Sequence, residues 1–194
     1  SLVGSEMCIR DRSKEVHKVS QKVKNLVADL LDTMYAQNGV GLAAPQIGEN
    51  YRVFVIDVST GNEPLNPMVF INPKIIKKSG AVISHEGCLS FPEAFTDVRR
   101  YSDVMVKAMD RNGRSFVLEA KDGSLLARAI QHEFDHLDGI LFIDHVINRF
   151  EAEEVLKKFN LPPIQIEKLL DEPELEAKIE ELLKQKVKSE EKND

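Results

Sequence analysis

Between residues 52 and 119 the sequence runs through β-branched and apolar stretches separated by turn residues, and helical spacing marks the segments before and after, so it predicts helices flanking antiparallel strands. The antiparallel choice rests on the connections. Arg111-Asn112-Gly113-Arg114 between two such stretches is a hairpin signal, and strands joined by so few residues cannot run parallel. A further helix follows the strands: Leu125-Leu126-Ala127 leads into Gln131-His132-Glu133-Phe134-Asp135-His136-Leu137-Asp138-Gly139 with no helix breaker before the glycine. With 194 residues, 42% of them hydrophobic, the chain can bury one substantial core, which favours one domain with a tail over two domains.

Taken in order, residues 1–12 match no pattern of helix, strand or targeting signal, and they read as translated sequencing adapter joined in frame, against the competing reading of a genuine N-terminal arm. On the first reading Cys8 carries no meaning for the protein. From residue 21 to 38, Val23, Leu26, Val27, Leu30, Leu31 and Met34 fall on one helix face and predict a core-packing helix. Gly39-Val40-Gly41-Leu42-Ala43-Ala44-Pro45-Gln46-Ile47-Gly48 lets the backbone approach a neighbour or ligand closely, yet has neither the Walker nor the dinucleotide spacing. A plain glycine-rich turn and a loop in which Gln46 presents its amide to a substrate carbonyl are both open.

Residues 52–58 and 69–72 predict strands joined by a polar loop, and residues 81–84 lead as a strand toward Cys88. Residues 103–110 and 115–119 flank the Asn-Gly turn, and Lys121-Asp122-Gly123-Ser124 supplies a turn with Ser124 as the N-cap of the histidine-bearing helix. Beyond it lie an apolar stretch over 140–146 and a short helix over 148–159, which Leu161-Pro162-Pro163 ends. A charged helix restarts near Pro173 with Leu175, Ile179, Leu182, Leu183 and Val187 on one face, either folded back on the domain or solvated as a tail.

On a helix with about 3.6 residues per turn, His132 and His136 lie roughly one turn apart on one face, where two imidazoles can bind one metal ion. Glu133 can take a proton from water activated there without being a ligand, the HExxH arrangement of hydrolytic metalloenzymes; the bland alternative is a helix with two surface histidines. A catalytic site of this kind needs a third ligand. The long metzincin motif would place a histidine where Phe142 stands, which argues against that class. Two sources stay open: a downstream glutamate among Glu151, Glu153 and Glu154, or the thiolate of Cys88 in Glu86-Gly87-Cys88-Leu89-Ser90. A lone cysteine is more often a small buried hydrophobe than a ligand.

A net charge of -6 and a pI near 5.5, with no Lys/Arg stripe, argue against sequence-specific nucleic-acid binding. No stretch approaches a membrane span and the start does not resemble a signal peptide. Two cysteines make no disulfide framework, and a reducing cytoplasm fits best.

Gly41-Leu42-Ala43-Ala44-Pro45-Gln46, Glu86-Gly87-Cys88-Leu89-Ser90 and Gln131-His132-Glu133-Phe134-Asp135-His136, in this order and spacing, resemble the peptide deformylase family, and the resemblance covers roughly residues 13–150. It implies an α+β fold with antiparallel sheets around the central HExxH helix, a catalytic domain over 13–160, and a charged helical C-terminal extension over 161–194, with the adapter-like residues 1–12 as a separate segment. It implies that Cys88, His132 and His136 hold one divalent metal ion, ferrous iron with zinc, nickel or cobalt as substitutes. The reaction implied is hydrolysis of the N-formyl group from the initiator formyl-methionine of nascent polypeptides, releasing formate, with the ribosome a candidate partner. In the family pattern Glu133 is the general base and acid, Gln46 and the Leu89 backbone N–H face the oxyanion, Gly41 holds the substrate backbone, and Val40 lines the methionine pocket. Glu86, Gln131 and Asp135 are candidates for orienting the ligands. The sequence departs from some relatives, which carry a basic residue near Phe95; either Arg99 or Arg100 replaces it or the contact is absent. A gluzincin-like peptidase using a downstream glutamate and a non-catalytic metal-stabilised module are the competing readings. Glu133 and Gln46 argue against the module, because neither is needed merely to hold an ion.

Overall fold

The computed structural model describes residues 11–61, 63–158 and 172–190. Its elements, in order, are α1 (Gln21–Ala36), β1 (Gly41–Ala43), a 3-10 turn (Ala44–Ile47), β2 (Val53–Ile56), β3 (Met68–Ser79), β4 (Val82–Cys88), β5 (Phe91–Arg100), β6 (Asp103–Met109), β7 (Ser115–Ala120), α2 (Leu125–Leu137), a second 3-10 turn (Phe142–His145), α3 (Arg149–Lys158) and α4 (Pro173–Glu190). Five strands form one antiparallel sheet in the order β1-β2-β3-β6-β7, and β4 pairs with β5 as a separate two-stranded ribbon. Antiparallel sheets with segregated helices make the fold α+β, as expected.

The β2 sequence Val-Phe-Val-Ile has no polar position, and all four side chains are buried because each face of the strand meets a helix. Alternation divides them. Val53 and Val55 join Val23, Leu26, Val27, Leu30 and Met34 of α1, while Phe54 and Ile56 join Ala127, Ile130 and Leu137 of α2. Burying each large aliphatic side chain of the α1 stripe stabilises the fold by about 1.5–3 kcal/mol. A third cluster, with Cys88, Ala94, Val98, Leu141, Phe142, Ile143 and Leu156, fills the space between the β4–β5 ribbon and the chain after α2.

Both helices bearing on the site end in a left-handed residue. Asn38 (φ 53°) follows α1, with the Gly39 N–H on the Met34 carbonyl; Gly139 (φ 70°) follows α2, with the Ile140 N–H on the Asp135 carbonyl. Ser20 and Ser124 accept from the backbone at the opposite ends. The Asn-Gly hairpin forms with a three-residue loop: Asp110 and Arg114 pair, and Gly113 rather than Asn112 takes the positive φ (78°), so the turn is not the two-residue mirror-image type.

The structure extends the second expected strand well past its predicted end and adds two strands. β3 continues from residue 72 to 79 because Asn72 (φ 50°) and the register shifts after Ile71 and Ile75 carry the strand through Pro73 instead of ending it. The glycine-rich stretch contains the short strand β1, and β5 was not expected at all. Alternate positions Ala94, Thr96, Val98 and Arg100 of β5 are buried while Phe95 is 63% exposed, so a reading that looks for polar residues outside finds no strand there. On α4, Leu175 and Ile179 are buried but Val187 is 54% exposed, so the helix docks by its first turns only. Among the described residues no helix is long and apolar enough to cross a membrane. Phe159 and the proline pair at 162–163 lie outside the described residues.

Candidate active site

Strand β4 and helix α2 lie against each other so that alternate residues of the strand face successive turns of the helix. Ser84, Glu86 and Cys88 are buried while His85 between them is exposed, the period of two expected of a strand with one face covered. Opposite them, Glu86 Oε2 is 2.9 Å from His132 Nδ1, and Cys88 Sγ is 3.4 Å from His136 Nε2. One donor atom from each of Cys88, His132 and His136 lies within 4.8 Å of the others. Glu133 points into the same space, its carboxyl 4% exposed with Oε2 lacking a hydrogen-bond partner. Gln46, held by the Ala43 N–H on its Oε1 at 2.9 Å, directs its amide at Cys88 Sγ (3.4 Å) and Ser90 Oγ (3.2 Å).

Charge and burial set the protonation of these groups. Burial raises the Cys88 thiol, but the neighbouring imidazoles of His136 and His132 outweigh it and hold the thiol well below its ordinary range. Burial also raises Glu86, against which the Arg100 guanidinium and His132 hold it ionised. Glu133 goes the other way: burial, joined by the negative charges of Cys88 and Glu86, overcomes both histidines and pushes its carboxyl up to about 7. A thiolate and two imidazoles are a donor set that suits a divalent transition metal, and Glu86 on His132 Nδ1 leaves that ring's Nε2 to face the centre. The residues therefore fit such an ion.

Glu86 is itself fixed by Arg100, whose Nε and Nη2 donate to its two oxygens at 2.9 and 2.8 Å. Arg100 also pairs with Asp135, which lies 2.9 Å from His145; these two neighbours overcome the effect of burial and bring the Asp135 carboxyl to about 2. Asp135 thus reaches the ligands only through Arg100 and Glu86. Gln131 does not reach them: its amide bonds the Tyr101 backbone at 2.9 Å twice and the Ala127 carbonyl, tying α2 to the start of β6.

The centre opens into a cavity of about 440 Å³ lined by Val40, Gly41, Gln46, Leu89, Arg128 and Phe95 among others. Gly41 is placed where a Cβ would come within 2.6 Å of Glu133 Oε1, so a hydrogen is the largest substituent that leaves the carboxylate undisturbed. Strand β1, which carries Gly41, is the outer strand of its sheet, with β2 its sole strand partner among the described residues. Two of the open alternatives lose their support here. Arg100 is spent on Glu86 and Asp135, and Arg99 bonds the carbonyls of His145 and Val146 and pairs with Glu176, so neither supplies the basic group of the pocket. Glu151 bonds Thr96 at 2.8 Å, and Glu153 and Glu154 are exposed, so none of these three joins the histidines as Cys88 does. Arg128, which does line the cavity, was missed; its position four residues before His132 was the available signal.

Fold and donors together define a class: an α+β hydrolase of the HExxH type, in which a strand cysteine completes the histidine pair. A family model described as polypeptide deformylase matches residues 2–152. Similar relatives include peptide deformylase 1 of Clostridium perfringens (strain 13 / Type A), 48% identical over 137 residues that cover 71% of this chain and 90% of that one. The peptide deformylase of Agrobacterium fabrum (strain C58) is 46% identical over 159 residues, 81% of this chain and 92% of that one. Among solved structures, a peptide deformylase from Synechococcus elongatus in complex with actinonin superposes with a TM-score of 0.73 at 42% identity, covering 80% of this chain and 82% of that one. That from Thermus thermophilus gives 0.72 at 37% identity, with 82% and 91% covered. The chain belongs to the polypeptide deformylase family. It is a hydrolase that removes the N-formyl group from nascent polypeptides.

Proposed function

We propose that this chain deformylates the N-formyl-methionyl ends of nascent polypeptides in the cytoplasm through one divalent cation, ferrous iron, held by Cys88, His132 and His136. The observation that carries the reading is the convergence of those three donors beside the buried Glu133 carboxylate, whose Oε2 has no hydrogen-bond partner. When bound, the cation polarises the formyl carbonyl and lowers the pKa of water. Glu133 accepts the proton as water adds to the formyl carbon, and returns it to the amine as the C–N bond breaks and formate leaves. The Gln46 amide and the Leu89 N–H donate to the oxygen on which charge develops, each such donor typically worth about 3 kcal/mol. The free edge of β1 at Gly41 takes the substrate backbone as an added strand, and Val40 lines the pocket for the methionine side chain.

Supporting residues follow from the same geometry. Glu86 holds His132 in one tautomer, and Arg100 holds Glu86. The division into a catalytic unit over 13–160, an extension over 161–194 and an added segment over 1–12 is part of the proposal, as is docking of the extension to the ribosome through the exposed Lys184, Lys186 and Lys188 near the far end of α4. Deleting residues 161–194 should weaken ribosome binding and spare hydrolysis of small formyl peptides. The direct test of the reaction is formate release from a formyl-Met-Ala peptide with and without a chelator: release that the chelator abolishes supports the reading, and release it leaves untouched removes the metal from it.

A further inference from the structure

The wall of the cavity carries a charged group for which deformylation of methionine has no use. Arg128 precedes His132 by one helical turn, as His132 precedes His136, and Ser84, Glu86 and Cys88 stand opposite on alternate positions of β4. Two strand residues rise about 6.6 Å and four helical residues about 6.0 Å, so the two series stay in step over three rungs. Cys88 meets His136 at 3.4 Å, Glu86 meets His132 at 2.9 Å, and Ser84 Oγ accepts from Arg128 Nη1 at 3.3 Å. The first two rungs build the catalytic centre. The third ends in a guanidinium.

That guanidinium is held against the wall rather than extended into solvent. Arg128 Nε donates to the Gly123 carbonyl at 3.0 Å, and its Nη1 partner Ser84 is 1% exposed. Its Nη2 has no hydrogen-bond partner, and no carboxylate pairs with it, among the described residues. The cavity follows α2 past Glu133, His132, Ala129, Arg128 and Leu125. With the formyl carbon beside Glu133, a linear first side chain running along this wall brings its δ atom to the next turn of the helix, about 6 Å away, where Arg128 stands.

We propose that Arg128 is a specificity-determining residue that extends the substrate class to N-formyl peptides whose first side chain is linear and bears a hydrogen-bond acceptor at the δ position, methionine sulfoxide foremost. This rests on the deformylase reading of the site. A thioether is a weak acceptor, so methionine in this pocket covers the Nη2 hydrogens without replacing the water they lose. The sulfoxide oxygen, by contrast, takes a charge-assisted hydrogen bond from them. A donor placed here favours a side chain that bears the acceptor over an apolar one of similar length, whereas an all-apolar pocket would rank the side chains in the opposite order.

The test compares kcat/KM for formate release from formyl-Met(O)-Ala-Ser, formyl-Met-Ala-Ser and formyl-norleucine-Ala-Ser by the metal-loaded full chain. The wild type should process the sulfoxide peptide faster than the norleucine peptide; the reverse order overturns the proposal without recourse to any variant. Arg128→Leu should lower the sulfoxide-to-methionine ratio by about ten- to hundredfold, the range of a hydrogen bond to a charged group, and Arg128→Lys should keep part of it. An unchanged ratio in Arg128→Leu also overturns it. Absence of formate from all three peptides with the wild type would instead remove the deformylase reading, and this proposal with it.

Discussion

At the scale of single residues, Glu133 and Gly41 form a unit that composition alone does not suggest. The carboxylate is buried with one oxygen unpartnered, and the glycine leaves the room in which it sits. Glu133→Ala removes the group that moves the proton but no ligand, so metal content should stay at one ion per chain while kcat falls by about 10²–10⁴. Metal analysis beside a formate assay decides it, and near-normal turnover would end the proton-transfer role. Gly41→Ala tests the close approach, since a Cβ there would lie 2.6 Å from Glu133 Oε1. Its backbone is not in the left-handed region, so the strand can accept alanine. The expected result is a fall in kcat of at least about tenfold, as misplaced catalytic groups show, with metal content and melting temperature nearly unchanged. A change confined to KM would assign the glycine to substrate binding alone.

Elements are joined to one another by polar ties as well as by the core, and these ties titrate. The Tyr35 hydroxyl of α1 donates to Asp57 at 2.6 Å, and Asp57 also accepts from the Ser59 and Asn66 N–H groups at 2.9 Å, closing the loop between β2 and β3. Burial raises Asp57, but those donors outweigh it and hold its carboxyl below the usual carboxylate range; Tyr35 is raised, by burial first and then by Asp57, to about 12. The Asp57 contribution is present above the unfolded carboxylate value of about 3.9 and is lost as pH falls through the lower folded value. The Tyr35 contribution is present below the unfolded value of about 10 and is lost as pH rises toward 12. Tyr35→Phe should therefore flatten the alkaline limb of a stability-versus-pH curve and shift the acid limb slightly, which denaturant melts across pH can measure. The docking of α4 is a second tie. Leu175 is 3% exposed against the β4–β5 ribbon, so Leu175→Ala should cost about 2–5 kcal/mol if the helix unfolds with the domain. A much smaller loss, with unchanged formate release, would mean that the helix separates before the domain melts.

For the molecule as a whole, the open question is which ion the centre works with. One thiolate and two imidazoles accept zinc readily, and the Irving–Williams order ranks zinc above ferrous iron, so donor geometry does not choose between them. On the proposal that the ferrous form is the working one, air should inactivate it by oxidising the iron and then the Cys88 sulfur, which can pass to irreversible sulfinic acid. The ferrous protein prepared without oxygen should be fast and air-labile, the nickel form comparably fast and air-stable, and the zinc form markedly slower. Assays of the three forms before and after exposure to air, with mass spectrometry of Cys88, provide the check. Equal and air-stable activity of the zinc and iron forms would make zinc the assignment.

By itself the sequence determined those features whose signal is local. The periodicity of α1, the Ser124 cap, the glycine after α2, the Asn-Gly hairpin and the pair His132 and His136 each depend on residues within one or two turns of one another. Tertiary structure decided what depends on pairing across the chain. It brought Cys88, and none of the three glutamates, beside His132 and His136 by placing β4 along α2. It turned Arg99 and Arg100 away from the pocket because alternation in β5 sends one inward to Glu86 and the other toward α4. It also fixed Arg128, one turn before His132, against Ser84, 44 residues away, a contact that no local pattern announces. The strand β5 was hidden for a related reason: its inward positions include an arginine and a threonine that are buried only because Glu86, Asp135 and Glu151 satisfy them, and those partners lie on other elements. Periodicity reports what a segment buries against an apolar neighbour, whereas a buried polar group is legible only once its partner has been brought beside it.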